Sequence, residues 1–208
     1  MPLDCLNAFV DLVLPRSCCG CGSTAVTCAG LCSSCIQTLL NRHSAVRLGA
    51  PITGGWVLGP YEGTLRELIR AAKYGGDPRV AHHLGRWMAQ MMPEHVDLVS
   101  WVPTRWTKQL SRGFDAVRAM STSTARGLHR PHRETLSRHD WGSQVGRTRA
   151  ERRALAPDAF VVKRGSIPST VLLIDDVITT GTTLRVCAGR LRAAGAKQVF
   201  VLAAARRM

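Results

Sequence analysis

The sequence predicts an α/β protein, a mostly parallel twisted sheet flanked by helices, with a small cysteine-bearing module ahead of it. Three observations carry that expectation. Apolar runs of strand length alternate with segments of helical periodicity through most of the chain. One of them, "VLLIDDVITTGTT" (Val171 to Thr183), reads as a buried strand, a Thr/Gly loop and the start of a helix. Seven of the eight cysteines lie within the first 35 residues, apart from everything else.

Composition bounds the rest. The 208 residues are 45% hydrophobic, enough for one good-sized core or for one domain with a small appendage. No uncharged apolar run is long enough to span a bilayer, so no membrane insertion is expected. The first residues carry Asp4 and Asp11 before the first base, Arg16, which is the reverse of a secretory signal and predicts a cytoplasmic protein. Net charge is +14, unevenly spread: residues 101–164 hold 14 basic and 5 acidic side chains. That middle stretch is the part that attracts anions, either nucleic acid or a polyphosphate metabolite.

Taken in order, residues 1–15 read as a short amphipathic helix ended by Pro15. Residues 17–35 hold the cysteine cluster, and "IQTLL" after Cys35 starts a helix. The Gly/Pro-rich stretch Arg47 to Tyr61 marks a boundary and contains a first strand at Trp56 to Leu58. "GTLRELIRAAKYGGD" puts Leu65, Leu68, Ile69 and Ala72 on one helical face and stops at Gly75–Gly76. The next helix opens at Asp77-Pro78, with Val80, Leu84, Trp87, Met88 and Met91 on its apolar side. "VDLVSWVP" is a strand ended by Pro103, and "FDAVRAMSTSTARGL" is a helix. Residues 133–158 are polar, Arg-rich and without apolar periodicity, which predicts a long mobile loop. "AFVV", the strand–loop–helix unit, a C-cap at Gly195 and the strand "QVFVLAAA" complete the series.

Cys18-x2-Cys21 and Cys32-x2-Cys35 are separated by ten residues. Two such turns present four thiolates tetrahedrally, which suits Zn2+ at a closed structural site. Clustered cysteines in a chain expected to be cytoplasmic point to metal rather than to disulfides. Cys19 and Cys28 remain as alternative ligands. Cys187 shares a helical face with Leu184 and Leu191 and reads as a core thiol.

The adjacent carboxylates Asp175 and Asp176 stand before a loop suited to an anion, and that conflict restricts the ligand. A P-loop nucleotidase would need a Gly-Lys dipeptide, which the chain lacks, and a dinucleotide fold would need G-x-G-x-x-G. A receiver-type phosphoacceptor pair belongs near the start of its fold, not close to the end. A ribose 5-phosphate satisfies both halves. Its vicinal hydroxyls donate to carboxylates, and its phosphate takes the N–H groups of a loop and helix N-terminus.

"VLLIDDVITTGTT" resembles the phosphoribosyl pyrophosphate (PRPP) motif of type I phosphoribosyltransferases. The chain as a whole is similar to the ComF family (ComFC/GntX-like), through "CCGC" and "LCSSC", "YEGTLRELIRAAKYGGD", "VSWVPTRWTKQLSRGFDAV" and "SQVGRTRAERR". The resemblance implies a type I phosphoribosyltransferase fold over 49–208, a helix and zinc module over 1–48, and a closing basic loop at about 136–154. It implies that Asp175 and Asp176 accept the ribose hydroxyls while Thr179, Thr180, Gly181, Thr182 and Thr183 wrap the 5′-phosphate of PRPP, which comes with Mg2+. It places a pyrophosphate-facing loop at Val102 to Arg105, with Pro103, Thr104 and Arg105 in it. Where relatives carry Arg-Gly-Phe-Asn-Gln, this chain has Arg112-Gly113-Phe114-Asp115-Ala116. Lys73, Arg112, Arg147, Arg149 and Arg152 are further candidates for neutralising pyrophosphate.

In function, the family implies competence and DNA uptake, with single-stranded DNA and DNA-uptake proteins as partners. Trp101, Trp106, Phe114 and Trp141 lie within the basic middle segment and fit stacking on a single strand, although Trp101, at the end of a strand, reads better as core. Two other readings stand beside it: a phosphoribosyltransferase with an unidentified acceptor, and a non-catalytic PRPP sensor. Purine-salvage relatives often place an Asp where Thr179 stands, to handle the base's proton, so purine salvage is disfavoured. No acceptor pocket is legible in the sequence.

Overall fold

The computed structural model describes residues 18, 21–26, 30–74, 78–92, 95–104, 113–138 and 159–207. The strands are β1 (Ser44–Ala45), β2 (Gly54–Pro60), β3 (Leu98–Trp101), β4 (Leu136–Arg138), β5 (Phe160–Val162), β6 (Thr170–Ile178) and β7 (Gln198–Arg206). The helices are α1 (Ser33–Leu40), α2 (Gly63–Tyr74), α3 (Pro78–Ala89), α4 (Ala116–Gly127) and α5 (Thr182–Ala193). The main sheet runs β1-β2-β7-β6-β3. Every pair in it is parallel except β1 on β2. The expected α/β architecture, a mostly parallel sheet flanked by helices, is what the chain forms.

The centre of the sheet is β6 against β7, and both are covered on two faces, which is why they read as continuous apolar runs. Alternation along β6 sends Leu172 and Ile174 to one side, into a core with Leu84, Met88 and Met120. Val171 and Leu173 go to the other side, with Leu184, Cys187 and Leu191 of α5. Helices α1 to α4 therefore lie over one face and α5 over the other. Burying one such Leu or Ile is worth roughly 1.5–3 kcal/mol.

The predicted helical faces are the buried ones. Leu65, Leu68, Ile69 and Ala72 of α2 are buried, as are Leu84, Trp87 and Met88 of α3. Val80 is half-buried, and Met91 is buried just beyond the end of α3. Asp115 caps α4, its Oδ1 accepting from the N–H groups of Val117 and Arg118. Gly195 follows α5 at φ +111, the C-terminal position predicted for it. Gly85 in α3 marks a close helix contact. A Cβ there would lie 2.2 Å from the Met120 carbonyl oxygen, so α3 and α4 meet backbone to backbone.

Two strands depart from the sequence expectation. Ser44–Ala45 pairs with β2 before the strand expected to be first, and that strand is longer, Gly54–Pro60. Leu136–Arg138, expected to begin a mobile loop, is a strand paired antiparallel with β5 in a separate two-stranded sheet. Leu136 is fully buried there beside Phe160. A three-residue strand with one inward side chain has no periodicity to detect, which is why the sequence reads as loop. The rest of that loop, 139–158, and the amphipathic helix expected at 1–15 lie outside the described residues. No helix among the described residues is long and apolar enough to cross a membrane.

Candidate ribose-phosphate site and metal centre

Strands β2, β7, β6 and β3 are parallel, so their C-terminal ends open on one edge of the sheet. Asp175 and Asp176 lie near that end of β6, both half-buried. As neighbours on a strand they turn to opposite faces. Asp176 faces α2, where its Oδ2 accepts from Lys73 Nζ at 2.7 Å. Asp175 lies on the α5 side, near enough to Cys187 that its charge, after burial, helps to push that thiol up. Its Oδ1 accepts from the Asp176 N–H at 2.9 Å.

Burial of its carboxyl, with the charge of Asp176 beside it, pushes Asp175 up to about 8. The Asp176 N–H and Lys73 oppose the rise, while Asp115 adds to it. Asp115 thus belongs to the electrostatics of the site besides capping α4. It also accepts from Thr104 Oγ1 at 3.3 Å, which ties the loop after β3 to that cap.

Beyond Ile178 the chain turns through exposed Thr179 and Thr180 to Gly181, which stands at φ +72 as the N-cap of α5. A left-handed conformation suits glycine there. A Cβ would also lie 2.9 Å from Leu48 Cδ2, so the residue must be small. Thr182 and Thr183 form the first turn, where backbone N–H groups have no intrahelical partner. The hydroxyls of Thr180 and Thr182 lie 2.9 Å apart, and the Thr182 N–H points to Thr180 Oγ1 at 3.4 Å. The loop is neutral and rich in donors, next to an acidic strand end.

The remaining sequence candidates divide cleanly. Lys73, expected at pyrophosphate, is paired with Asp176. Pro103 is buried and Thr104 half-buried, directly after β3. Arg105, Arg112, Arg147, Arg149 and Arg152 lie outside the described residues, as do Trp106 and Trp141. Trp101 is buried, stacked on His132 with ring centroids 4.7 Å apart, and is not available to a nucleic-acid base. Two cavities lie off the Asp pair. One of about 210 Å³ is lined by Cys35, Leu39, Arg42, Leu58, Glu62 and Leu65. A more open one of about 410 Å³ runs along residues 46–54 and Arg192.

The second constellation is the cysteine module. Cys18 and Cys21 sit in a turn closed by the Gly22 N–H donating to the Cys18 carbonyl at 2.8 Å, with Gly22 at φ +76. Cys32 is the N-cap of α1 and Cys35 lies in its first turn. The four Sγ atoms all lie within 4.8 Å of one another. Zinc–sulfur bonds of about 2.3 Å imply thiolates about 3.8 Å apart, so this donor set fits a tetrahedral ion with little adjustment. The Cys32 N–H points at Cys18 Sγ at 3.3 Å, the backbone donor that orients a ligating sulfur. Cys19 and Cys28 lie outside the described residues. The module is not a free appendage: Cys18, Leu31 and Cys32 are buried in the same core as Leu58 and Leu65.

No protein-family model matches the chain, and no curated protein does. Solved structures do. One is described as the allosteric regulatory enzyme of purine biosynthesis, another as glutamine phosphoribosylpyrophosphate (PRPP) amidotransferase from B. subtilis complexed with ADP and GMP. Each is 22% identical, with a TM-score of 0.48 over 65% of this chain. The matched part is 30% of each of those chains, so this protein corresponds to less than a third of their length.

Sequence reasoning missed Arg185. One turn into α5 its guanidinium folds back, Nη2 donating to Thr182 Oγ1 at 3.3 Å and Nη1 to the Leu48 carbonyl at 3.4 Å. A cation one turn after a Thr/Gly loop was a legible signal, hidden by the many arginines around it.

Proposed function

We propose that this chain binds PRPP, or another ribose 5-phosphate, at the C-terminal end of β6. One observation carries the reading: two carboxylates stand two residues before a neutral, donor-rich loop at a helix N-terminus. Carboxylates alone suit a cation, and the loop alone suits an anion. A ribose 5-phosphate makes both demands within a few ångströms. Asp176 accepts from one ribose hydroxyl. Asp175, placed to keep a proton near neutral pH, can donate to or accept from the other. Thr179 to Thr183 receive the 5′-phosphate. Mg2+ entering on the ligand's phosphates supplies charge neutralisation there. Pyrophosphate is assigned to the loop after β3, Pro103 to Arg105, with Arg112, Arg147, Arg149 and Arg152 as further cations. If transfer occurs, the chain contributes position and charge stabilisation rather than covalent chemistry.

The four-cysteine module is proposed as a structural Zn2+ site. Together with the motifs shared with the ComF family, it extends the reading to a cytoplasmic protein that handles incoming single-stranded DNA with DNA-uptake proteins. The exposed cations Arg118, Arg126, Arg133, Lys163 and Arg164 support a polyanion partner. An active phosphoribosyltransferase and a PRPP sensor share the same site. Pyrophosphate release from Mg–PRPP, with and without bases and single-stranded DNA, separates turnover from binding. The binding itself is tested by calorimetric titration with Mg–PRPP. Heat in the wild type and little in Asp175→Asn plus Asp176→Asn is expected; equal affinity in both would make the ribose assignment wrong.

A further inference from the structure

We infer that Arg185 is the cation that reads the phosphate of the ligand and discriminates phosphorylated from unphosphorylated ribose. The inference rests on the ribose-phosphate reading of the β6–α5 loop and names a specificity-determining residue within it.

The loop from Thr179 to Thr183 holds no charged side chain, and the nearest charged residues before it, Asp175 and Asp176, are acidic. A phosphate monoester carries close to two negative charges at neutral pH. Against that, the loop offers backbone N–H groups and a helix dipole worth about half a charge. Lys73 is committed to Asp176 at 2.7 Å. Among the described residues, the cation bonded to the loop is Arg185.

Three features of Arg185 fit this role. It is half-buried yet has no carboxylate partner among the described residues; its side-chain bonds are the long ones to Thr182 Oγ1 and the Leu48 carbonyl. A desolvated guanidinium without a counter-charge is costly, and an anion removes that cost. Its fork has five donors and uses two among the described residues, so others remain for oxygen acceptors. It is also aimed by its surroundings. Leu48 packs over Gly181, and a Cβ at 181 would meet both Leu48 Cδ2 and, at 3.4 Å, Arg185 Nη1. The segment carrying Leu48 thus holds the guanidinium against the first turn of α5. A shift of a few ångströms off Thr182 would bring it to an oxygen bound by that turn, where a planar fork pairs with phosphate in two places.

The alternative is that Arg185 merely clips Leu48 to α5 through neutral hydrogen bonds. Calorimetric titrations with ribose 5-phosphate and with inorganic phosphate separate the two. The proteins are the wild type, Arg185→Gln and Arg185→Lys, each checked for an unchanged unfolding midpoint within a few degrees. Loss of a charge-assisted bond predicts that Arg185→Gln weakens both ligands about 10- to 100-fold. Arg185→Lys, which keeps the charge but not the fork, should recover part of that loss. Equal binding by wild type and Arg185→Gln overturns the inference and leaves the ribose-phosphate reading standing. Equal losses in the Gln and Lys variants overturn it too, because a clip would not care which of them carries charge. Silence of the wild type towards ribose 5-phosphate overturns both the inference and the reading beneath it.

Discussion

Lys73 Nζ lies 2.7 Å from Asp176 Oδ2, with both side chains only 17% exposed. The pair joins the C-terminal turn of α2 to the end of β6, so one ion pair sets both the position of α2 and the charge of the site. Removing the lysine would leave Asp175 and Asp176 crowded and uncompensated. Lys73→Met is therefore expected to lose roughly 3 kcal/mol, the low end for breaking a buried pair. Chemical denaturation of both proteins checks it; an unchanged midpoint in the variant would show that the pair contributes nothing to stability.

Asp175 gives a pH dependence of definite sign. Its carboxyl is pushed up to about 8, against 3.8 for an ordinary aspartate. Between those values the native chain holds a proton that the unfolded chain has released. Stability from this group is thus greatest below pH 4, falls as pH rises, and is fully lost above pH 8. Asp175→Asn cannot titrate. The variant's unfolding midpoint minus that of the wild type should grow from pH 4 to pH 8 and then level. A difference constant across pH 5, 7 and 9 would contradict the burial argument.

Much of this was legible in the sequence, for physical reasons that differ by element. The β6–loop–α5 unit is written in residue types that do little else together: four apolar residues, two acids, two more apolar residues, then Thr and Gly. The face of α2 follows from helical periodicity, and the clustering of the four thiols follows from spacing. Leu136 was illegible because one inward side chain in a three-residue strand makes no pattern. The opposite facing of Asp175 and Asp176 follows from strand alternation, but the pairing of Lys73 with one of them does not. That pairing depends on where α2 crosses the sheet, 103 residues away in sequence from Asp176. The Arg185–Leu48 contact is hidden in the same way, since it spans 137 residues.

The cysteine module predicts coupling between metal and core. Hydrogen bonding among the thiols, led by Cys21, pushes Cys35 up to about 12. Metal-free protein at neutral pH therefore keeps protons that zinc must displace, so loading should release protons and weaken as pH falls. Protein purified without added zinc should hold about one equivalent, and less than half an equivalent would sink the assignment. Cys32→Ser plus Cys35→Ser should abolish retention. Because Cys18 and Cys32 share a core with Leu58 and Leu65, chelation should also lower the unfolding midpoint of the whole chain. A midpoint unmoved by chelation would show the module to be energetically separate.

The last prediction concerns the polyanion partner. Arg118 and Arg126 lie two turns apart on α4, about 12 Å along its axis, both exposed on a helix without an acidic residue. Arg126 is near enough to His132 that its charge, after burial and Arg118, lowers the pKa of that ring. Arg133 follows, also exposed, and bonds to the Ser166 carbonyl, two residues from exposed Arg164. Lys163 in this basic surface is already paired with Glu134. A single strand laid along the surface would neutralise roughly four phosphates. Each contributes a log–log salt slope of about −0.7, giving a slope near −3. Changing Arg118, Arg126 and Arg133 to Ala should shallow it by about 2 without changing zinc content. Trp101 is buried, so binding should depend on salt far more than on base identity. A wild-type slope near zero would favour a metabolite enzyme over a DNA-handling protein. A steep slope unchanged by the triple variant would move the strand to Arg147, Arg149 and Arg152, where the same substitutions would then shallow it.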